Sequence, residues 1–486
     1  MQVHKIIKEN QPIFFLYLIS TLYFLYQYHT STLWDFSAYV LNARYLFYGG
    51  TYFEVYRAPL APILLGIFLS IGKIGIYLYI WAISTFFLYS TVKISSEIFK
   101  DLEEKKKKIA KIIFYFFSLS PFVLLYGLGG GTELLGFALL EMFIYSLIKS
   151  KTSGHWLGLA ILTRYNFLYF IPLLLIHKKP REIVKNLLIT IFILFPWLLF
   201  NYLKYGNWFT SIIDSYALNI HFRQYLTEQI SFSQFLPPIG WFWPFLIIGI
   251  VISITQLIKR PIKENKTNII IFLLIAIIIY DFYNTPFKIT RYLFNLALPI
   301  AFFSTKGTLL WIEKIKINKR LIISLILIVF IVTSGFLFFH RYEERWHKQQ
   351  FAEAAREIYA LNISHCEILS PHWVLVTYYT ENVYPLNWNY INQEILDNKV
   401  VLIFKDEYSR DYQLEGTLDG FPLLYETEKY LFLAKPDISK SCSPRYVYDS
   451  PLVKDPCQIF SEVLGKDLLG TFGLKTCKII NKPIGS

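Results

Sequence analysis

Apolar stretches of roughly 15 to 20 residues, almost free of charge, alternate with short basic loops along most of this chain. Such stretches satisfy their backbone N–H and C=O groups in lipid only as helices, so the pattern dictates an α-helical polytopic membrane protein. The segments fall at 12–29, 77–98, 110–127, 134–148, 184–203, 239–257, 268–283, 291–305 and 321–339. A further segment, 155–176, is flanked by KSK and KKPR, and both flanks favour the cytoplasm; it is expected to go in and come back, with Thr163, Arg164, Tyr165 and Asn166 at its tip. Counting that hairpin as two short helices, about eleven crossings are expected. Residues 58–72 are apolar enough to span, but a crossing there would put the basic run at 101–108 outside. They are expected to lie in the interface or to re-enter.

A net charge of +13 in a soluble protein would point to nucleic acid. Here the loops at 1–11, 99–111, 149–154, 177–185, 258–266 and 306–320 hold 23 Lys and Arg, against 8 in all the outward membrane loops, Arg291 at the edge of one included. That is the positive-inside pattern: a cell-membrane protein with membrane lipids, not nucleic acid, as surroundings, and with a cytoplasmic amino terminus. An odd number of crossings leaves the tail outside. The chain is therefore divided into a transmembrane part, 1–339, with its first outward loop at 30–76, and a small extracytoplasmic α/β domain at 340–486. In that domain 343–361 has helical spacing, and short β-type runs follow at 366–369, 374–379, 400–404 and 430–433. All four cysteines, Cys366, Cys442, Cys457 and Cys477, lie in the tail, so two disulfides are expected in one of three connectivities.

The first outward loop carries the chemistry. Its run WDFSAYVLNARYLFYGGTYFEVYRAPLAPILLG (34–66) puts Asp35, Arg44, Glu54 and Arg57 directly after a membrane segment, where charges are costly unless they are used. Each candidate has a plain competitor. Asp35 stands at a helix start and fits an N-cap; Arg57 fits a side chain snorkelling to headgroups. Arg291 stands opposite Asp281 across a short outward loop, and Glu141, deep in a span, is expected to pair with His155 or a lysine. His221 and Arg223 read as solvated loop residues. No outward His or carboxylate group has compact ligand spacing, so no metal or other cofactor is required; a divalent ion stays compatible with acids meeting from separate loops.

The opening acid of WDFSAY, followed about twenty residues later by FEVYRAPL and an apolar segment, resembles the polytopic C-type (GT-C) glycosyltransferases. These include the dolichyl-phosphate-mannose protein mannosyltransferases and the bacterial enzyme that adds aminoarabinose to lipid A. The resemblance continues through SLSPFVLLYGLGGGTELLG (118–136), GLAILTRYN (158–166) and ITRYLFNLALP (289–299). It departs at Ala58, where the family usually has a second proline, and at Glu133, where it usually has aspartate. The resemblance implies an inverting transferase that moves a sugar from a polyprenyl (dolichyl) phosphate to a glycan, lipid or protein acceptor on the extracytoplasmic face, as in cell-envelope or protein glycosylation. It places the base at Asp35, a second acid that bonds acceptor or sugar at Glu133, and the cations that receive the departing phosphate at Arg57, Arg164 and Arg291. The rival from another class is a transporter or flippase for polyprenyl-linked glycans. Such proteins set ionisable residues at the midplane of two related halves, whereas this chain has no internal repeat and gathers its charges near one face.

Overall fold

The structure, a computed structural model, describes residues 11–453 except 32, 178, 260, 262–263, 316–318, 344, 387–393, 395–396 and 406–420. Six of the described helical segments are long and apolar enough to cross a membrane: Ile74–Ile98, Pro180–Tyr205, Phe232–Lys259, Lys266–Asn284, Thr290–Ile315 and Leu321–Tyr342. The chain is a multi-pass membrane protein. Gln11–Thr30, Glu104–Ser118 and Glu133–Ile148 occupy other expected segments but are shorter or more polar. The expected span at 110–127 is two pieces, because Ser120 caps a second helix, Pro121–Tyr126, by accepting from the Val123 N–H (3.3 Å), and Pro121 takes its first turn.

The Leu60–Leu69 helix has ten residues, about 15 Å at 1.5 Å per residue, which is half a bilayer core; an interfacial or re-entrant position fits that length. The 155–176 segment returns on itself. A helix over Gly154–Thr163 ends at Arg164 in extended backbone, a 3₁₀ run over Tyr165–Ile176 follows, and the two ends meet where Ser153 Oγ lies 3.2 Å from His177 Nε2. The Glu133–Ile148 helix is buried along nearly its whole length. Its Glu141 does not pair with His155 or a lysine: Ser90 Oγ (2.6 Å) and Thr91 Oγ1 (2.8 Å) donate to it from the Ile74–Ile98 helix. Two hydroxyls one residue apart on one helix satisfy a buried carboxyl without a second charge.

The carboxy-terminal region has its own core around a five-stranded sheet of order β2-β1-β3-β5-β4. Here β1 is Ile368–Ser370, β2 Val383–Pro385, β3 Val400–Phe404, β4 Leu423–Glu426 and β5 Tyr430–Leu433. β1 runs parallel to β2 and β3, whereas β5 runs antiparallel to β3 and β4. The Arg345–Ala360 helix buries Phe351, Ala354, Ala355 and Ile358 against it, as their spacing predicts. The run at 374–379 is corrected from strand to helix, Trp373–Thr380. Its β-branched and aromatic residues favour a strand by propensity, but a short run buried on most sides carries no period to separate the two forms, and packing decided.

Cys366 and Cys442 are joined by a disulfide; Cys457 and Cys477 lie outside the described residues. The tail packs directly on the helix Trp34–Tyr48. Trp34 and Trp373 meet edge to face at 4.7 Å, Arg44 donates to the Tyr378 carbonyl (2.7 Å) and pairs with Glu381 (3.5 Å), and Tyr45 donates to Asp449 (2.6 Å). Farther along, the buried Asp214 accepts from the Leu452 and Val453 N–H groups (2.8 and 3.0 Å), and burial pushes its carboxyl up to about 6 against those two bonds.

Candidate active site

Asp35 stands in the first turn of the Trp34–Tyr48 helix, where the unsatisfied N–H groups favour a negative charge. It is not the N-cap. Leu33 holds that place without a side-chain bond, and both Asp35 oxygens turn to arginines instead. Arg57 Nη1 donates to Oδ1 at 3.0 Å and Arg291 Nη1 to Oδ2 at 2.5 Å. Arg291 comes from the 3₁₀ turn Thr290–Leu296 that opens the helix Ala297–Ile315. The expected Arg291–Asp281 pair is therefore absent among the described residues, and Asp281 accepts from Asn166 Nδ2 (3.0 Å).

Burial alone would raise the Asp35 carboxyl, but the guanidiniums of Arg57 and then Arg291 outweigh it and hold it below the usual carboxylate range. Arg57 is fixed from behind. A turn closed by the Arg57 N–H on the Glu54 carbonyl (3.2 Å) puts both side chains on one side, and Arg57 Nε donates to Glu54 Oε2. Burial disfavours the Arg57 charge, but Glu54 and then Asp35 more than restore it, so the guanidinium is held firmly protonated. Its carbon also lies 5.0 Å from the Tyr39 ring and 5.4 Å from that of Tyr56.

The second pair stands against the same Tyr39. Arg164, at the break of the returning segment, donates through Nη1 to Glu133 Oε1 at 2.5 Å, and the Thr132 N–H reaches Glu133 Oε2 at 3.3 Å. Both Glu133 oxygens thus have protein partners and its side chain is 2 % exposed, so it bears on Arg164 rather than reaching out to an acceptor or sugar. The glycines of GLGGGT make this possible. A Cβ at Gly130 would lie 2.0 Å from both Glu133 oxygens, and Gly131 takes φ +82° where its Cβ would strike the Tyr39 ring at 2.6 Å. Gly130→Ala is expected to fold, because the atoms in the way belong to the end of a flexible side chain. It should displace Glu133 from Arg164 and cost about 1.5 to 3 kcal/mol, the worth of one charge-assisted hydrogen bond, as measured by thermal unfolding.

Exposure sorts the cluster. Asp35, Arg164 and Arg291 keep 18 %, 19 % and 27 % of their side-chain surface open, whereas Arg57, Glu54 and Glu133 keep 8 % or less. Of the buried three, Arg57 bonds to Asp35, Glu54 to Arg57 and Glu133 to Arg164. Arg291 Nε and Asn166 Oδ1 are buried without a hydrogen-bond partner among the described residues, two polar atoms with capacity left to bond. Glu54 stood within the first-loop run but carried no assigned role; its spacing of three from Arg57 was the available signal. Among the described residues, the one His/Cys/Asp/Glu group with ligand spacing is His365, Cys366 and Cys442, and its two sulfurs are bonded to each other.

No protein-family model and no curated protein matches the chain. Solved structures do. The crystal structure of ArnT from Cupriavidus metallidurans bound to undecaprenyl phosphate superposes with a TM-score of 0.58 at 10% identity, covering 92% of this chain and 100% of that one. The fold is that of ArnT. The apo form of ArnT gives a TM-score of 0.57 at 11% identity, over 88% of this chain and 98% of that one. With 92% of this chain covered, the likeness takes in carboxy-terminal residues as well as the membrane helices.

Proposed function

We propose that the chain is an inverting glycosyltransferase that moves a sugar from a polyprenyl phosphate to a hydroxyl or amine of an acceptor at the extracytoplasmic membrane surface. One observation carries the reading: arginines from three distant parts of the chain converge on Asp35 and Glu133, on a fold shared with a protein crystallised with undecaprenyl phosphate.

The acceptor O–H or N–H attacks the anomeric carbon from the face opposite the phosphate. As the new bond forms, the C–O bond to phosphate breaks, its electron pair goes to the phosphate oxygen, and the acceptor proton goes to Asp35. The negative charge growing on that oxygen is met by guanidiniums already aimed and desolvated, which need no reorganisation in the transition state. Arg291 and Arg164 are open enough to receive the phosphate. A phosphate that shares Arg291 also weakens its pull on Asp35, which raises the basicity of the carboxylate when the donor is in place.

This mechanism is tested by the product. A single displacement inverts the anomeric configuration relative to the polyprenyl-linked sugar. Nuclear magnetic resonance of the purified product should show inversion, and retention would exclude direct attack assisted by Asp35.

A further inference from the structure

A continuous line of hydrogen bonds runs from the carboxy-terminal region to the candidate base. Trp373 Nε1 donates to Tyr52 Oη at 2.6 Å, and Tyr52 Oη donates to Glu54 Oε1 at 2.6 Å. Arg57 Nε donates to the other Glu54 oxygen, and Arg57 Nη1 reaches Asp35 at 3.0 Å. The direction of the line is forced. An indole N–H only donates, so Tyr52 Oη accepts from it and its single hydrogen must point elsewhere, to Glu54. Burial and then the Glu54 charge raise the Tyr52 phenol well above its ordinary value, so that hydrogen stays in place.

The rest of the contact holds Tyr52 still. Tyr448 forms a parallel bridge beside it, with the Phe53 N–H on the Tyr448 carbonyl (2.7 Å) and the Tyr448 N–H on the Thr51 carbonyl (2.8 Å). The rings of Tyr52 and Tyr448 stack at 5.0 Å with 10° between planes. Glu54 is gripped at its backbone too: Asn42 Nδ2 donates to its carbonyl (3.0 Å) and Asn42 Oδ1 accepts its N–H (2.8 Å). Tyr52 is 2 % and Glu54 1 % exposed, so water does not compete for these bonds.

We infer that the carboxy-terminal region is a positioning element of the site: Trp373, acting through Tyr52 and Glu54, sets the Arg57 guanidinium against Asp35. The inference rests on the roles proposed above for Asp35 and Arg57. It makes the carboxy-terminal region more than a cap, because a chain segment more than 300 residues from Tyr52 supplies the outermost donor of the line.

The variants separate positioning from packing. Trp373→Phe keeps an aromatic ring against Trp34 and removes the N–H; Tyr52→Phe keeps the stack on Tyr448 and removes the hydroxyl. Tyr52→Phe is expected to lower kcat about tenfold, the scale of one hydrogen bond to a charged group, and Trp373→Phe a few-fold, the scale of one to a neutral hydroxyl, each with thermal unfolding of the full-length protein close to wild type. Glu54→Gln gives the opposite sign in two readouts. It leaves the site one negative charge poorer, so undecaprenyl phosphate should bind several-fold more tightly while transfer slows, and a merely structural defect would weaken both. Wild-type protein that binds no undecaprenyl phosphate would overturn the donor reading itself. Binding by wild type, together with folded Trp373→Phe and Tyr52→Phe proteins that transfer at the wild-type rate, would overturn the positioning role alone. Should Glu54→Gln fail to fold, those two variants still decide it.

Discussion

Asp35→Asn is expected to lower the rate of sugar transfer about a hundredfold to ten-thousandfold, the range lost when a proton acceptor is removed from a transition state. Donor binding should survive and tighten, which is the more discriminating half of the result. In the wild type the carboxylate occupies one Arg57 nitrogen at 3.0 Å and one Arg291 nitrogen at 2.5 Å. An amide keeps the shape of the side chain but removes its negative charge, so both guanidiniums have more of their charge available for a phosphate. A variant that loses kcat while its donor dissociation constant falls has lost an interaction made in the transition state together with a ground-state competitor of the phosphate. Equal loss of both would instead mean that Asp35 serves to hold the arginines.

Arg291→Ala is expected to weaken donor binding about tenfold to a hundredfold, as for a lost hydrogen bond between charged groups. Arg291→Lys should restore it only in part, because an ammonium cannot serve Asp35 and a phosphate with the fixed fork of a guanidinium. The pH profile carries a separate signature. Burial acts to raise the Asp35 carboxyl, and Arg57 and Arg291 together lower it past its ordinary value. Removing Arg291 leaves one opposing cation, so the carboxyl rises, proton uptake begins at higher pH, and the acid limb of the transfer rate moves toward neutrality. The same shift bears on stability: the depressed Asp35 stabilises the fold above its unfolded value near about 3.9 and loses that contribution as pH falls through the folded value. The variant has less of it to lose.

The helical membrane segments were legible because apolar length demands helices. A charge beside lipid demands a partner or a use, which singled out Asp35 and Arg57 as candidates, and the resemblance added Glu133, Arg164 and Arg291. Their partners were not legible. Arg291 faces Asp35 rather than Asp281, a choice between two acids of similar depth that only the packing of the Thr290–Leu296 turn makes. Glu141 found hydroxyls where a cation was expected, because Ser90 and Thr91 carry no charge to signal them. The need for glycine at 130 shows only once the Glu133 carboxylate is seen where its Cβ would stand. The line from Trp373 to Glu54 is invisible to any local pattern, since it joins an aromatic run that favours a strand to a loop some 300 residues earlier.

The central claim is that the Asp35 and arginine cluster transfers a sugar from a polyprenyl phosphate. Its most direct test is the release of free polyprenyl phosphate from a labelled polyprenyl-phosphate sugar by membranes containing the protein, offered cell-envelope acceptors, with Asp35→Asn membranes alongside. The account predicts release that depends on acceptor and falls at least about a hundredfold in the variant at equal amounts of folded protein. Release at the same rate from Asp35→Asn membranes, or movement of intact donor across the bilayer with no release at all, would contradict it.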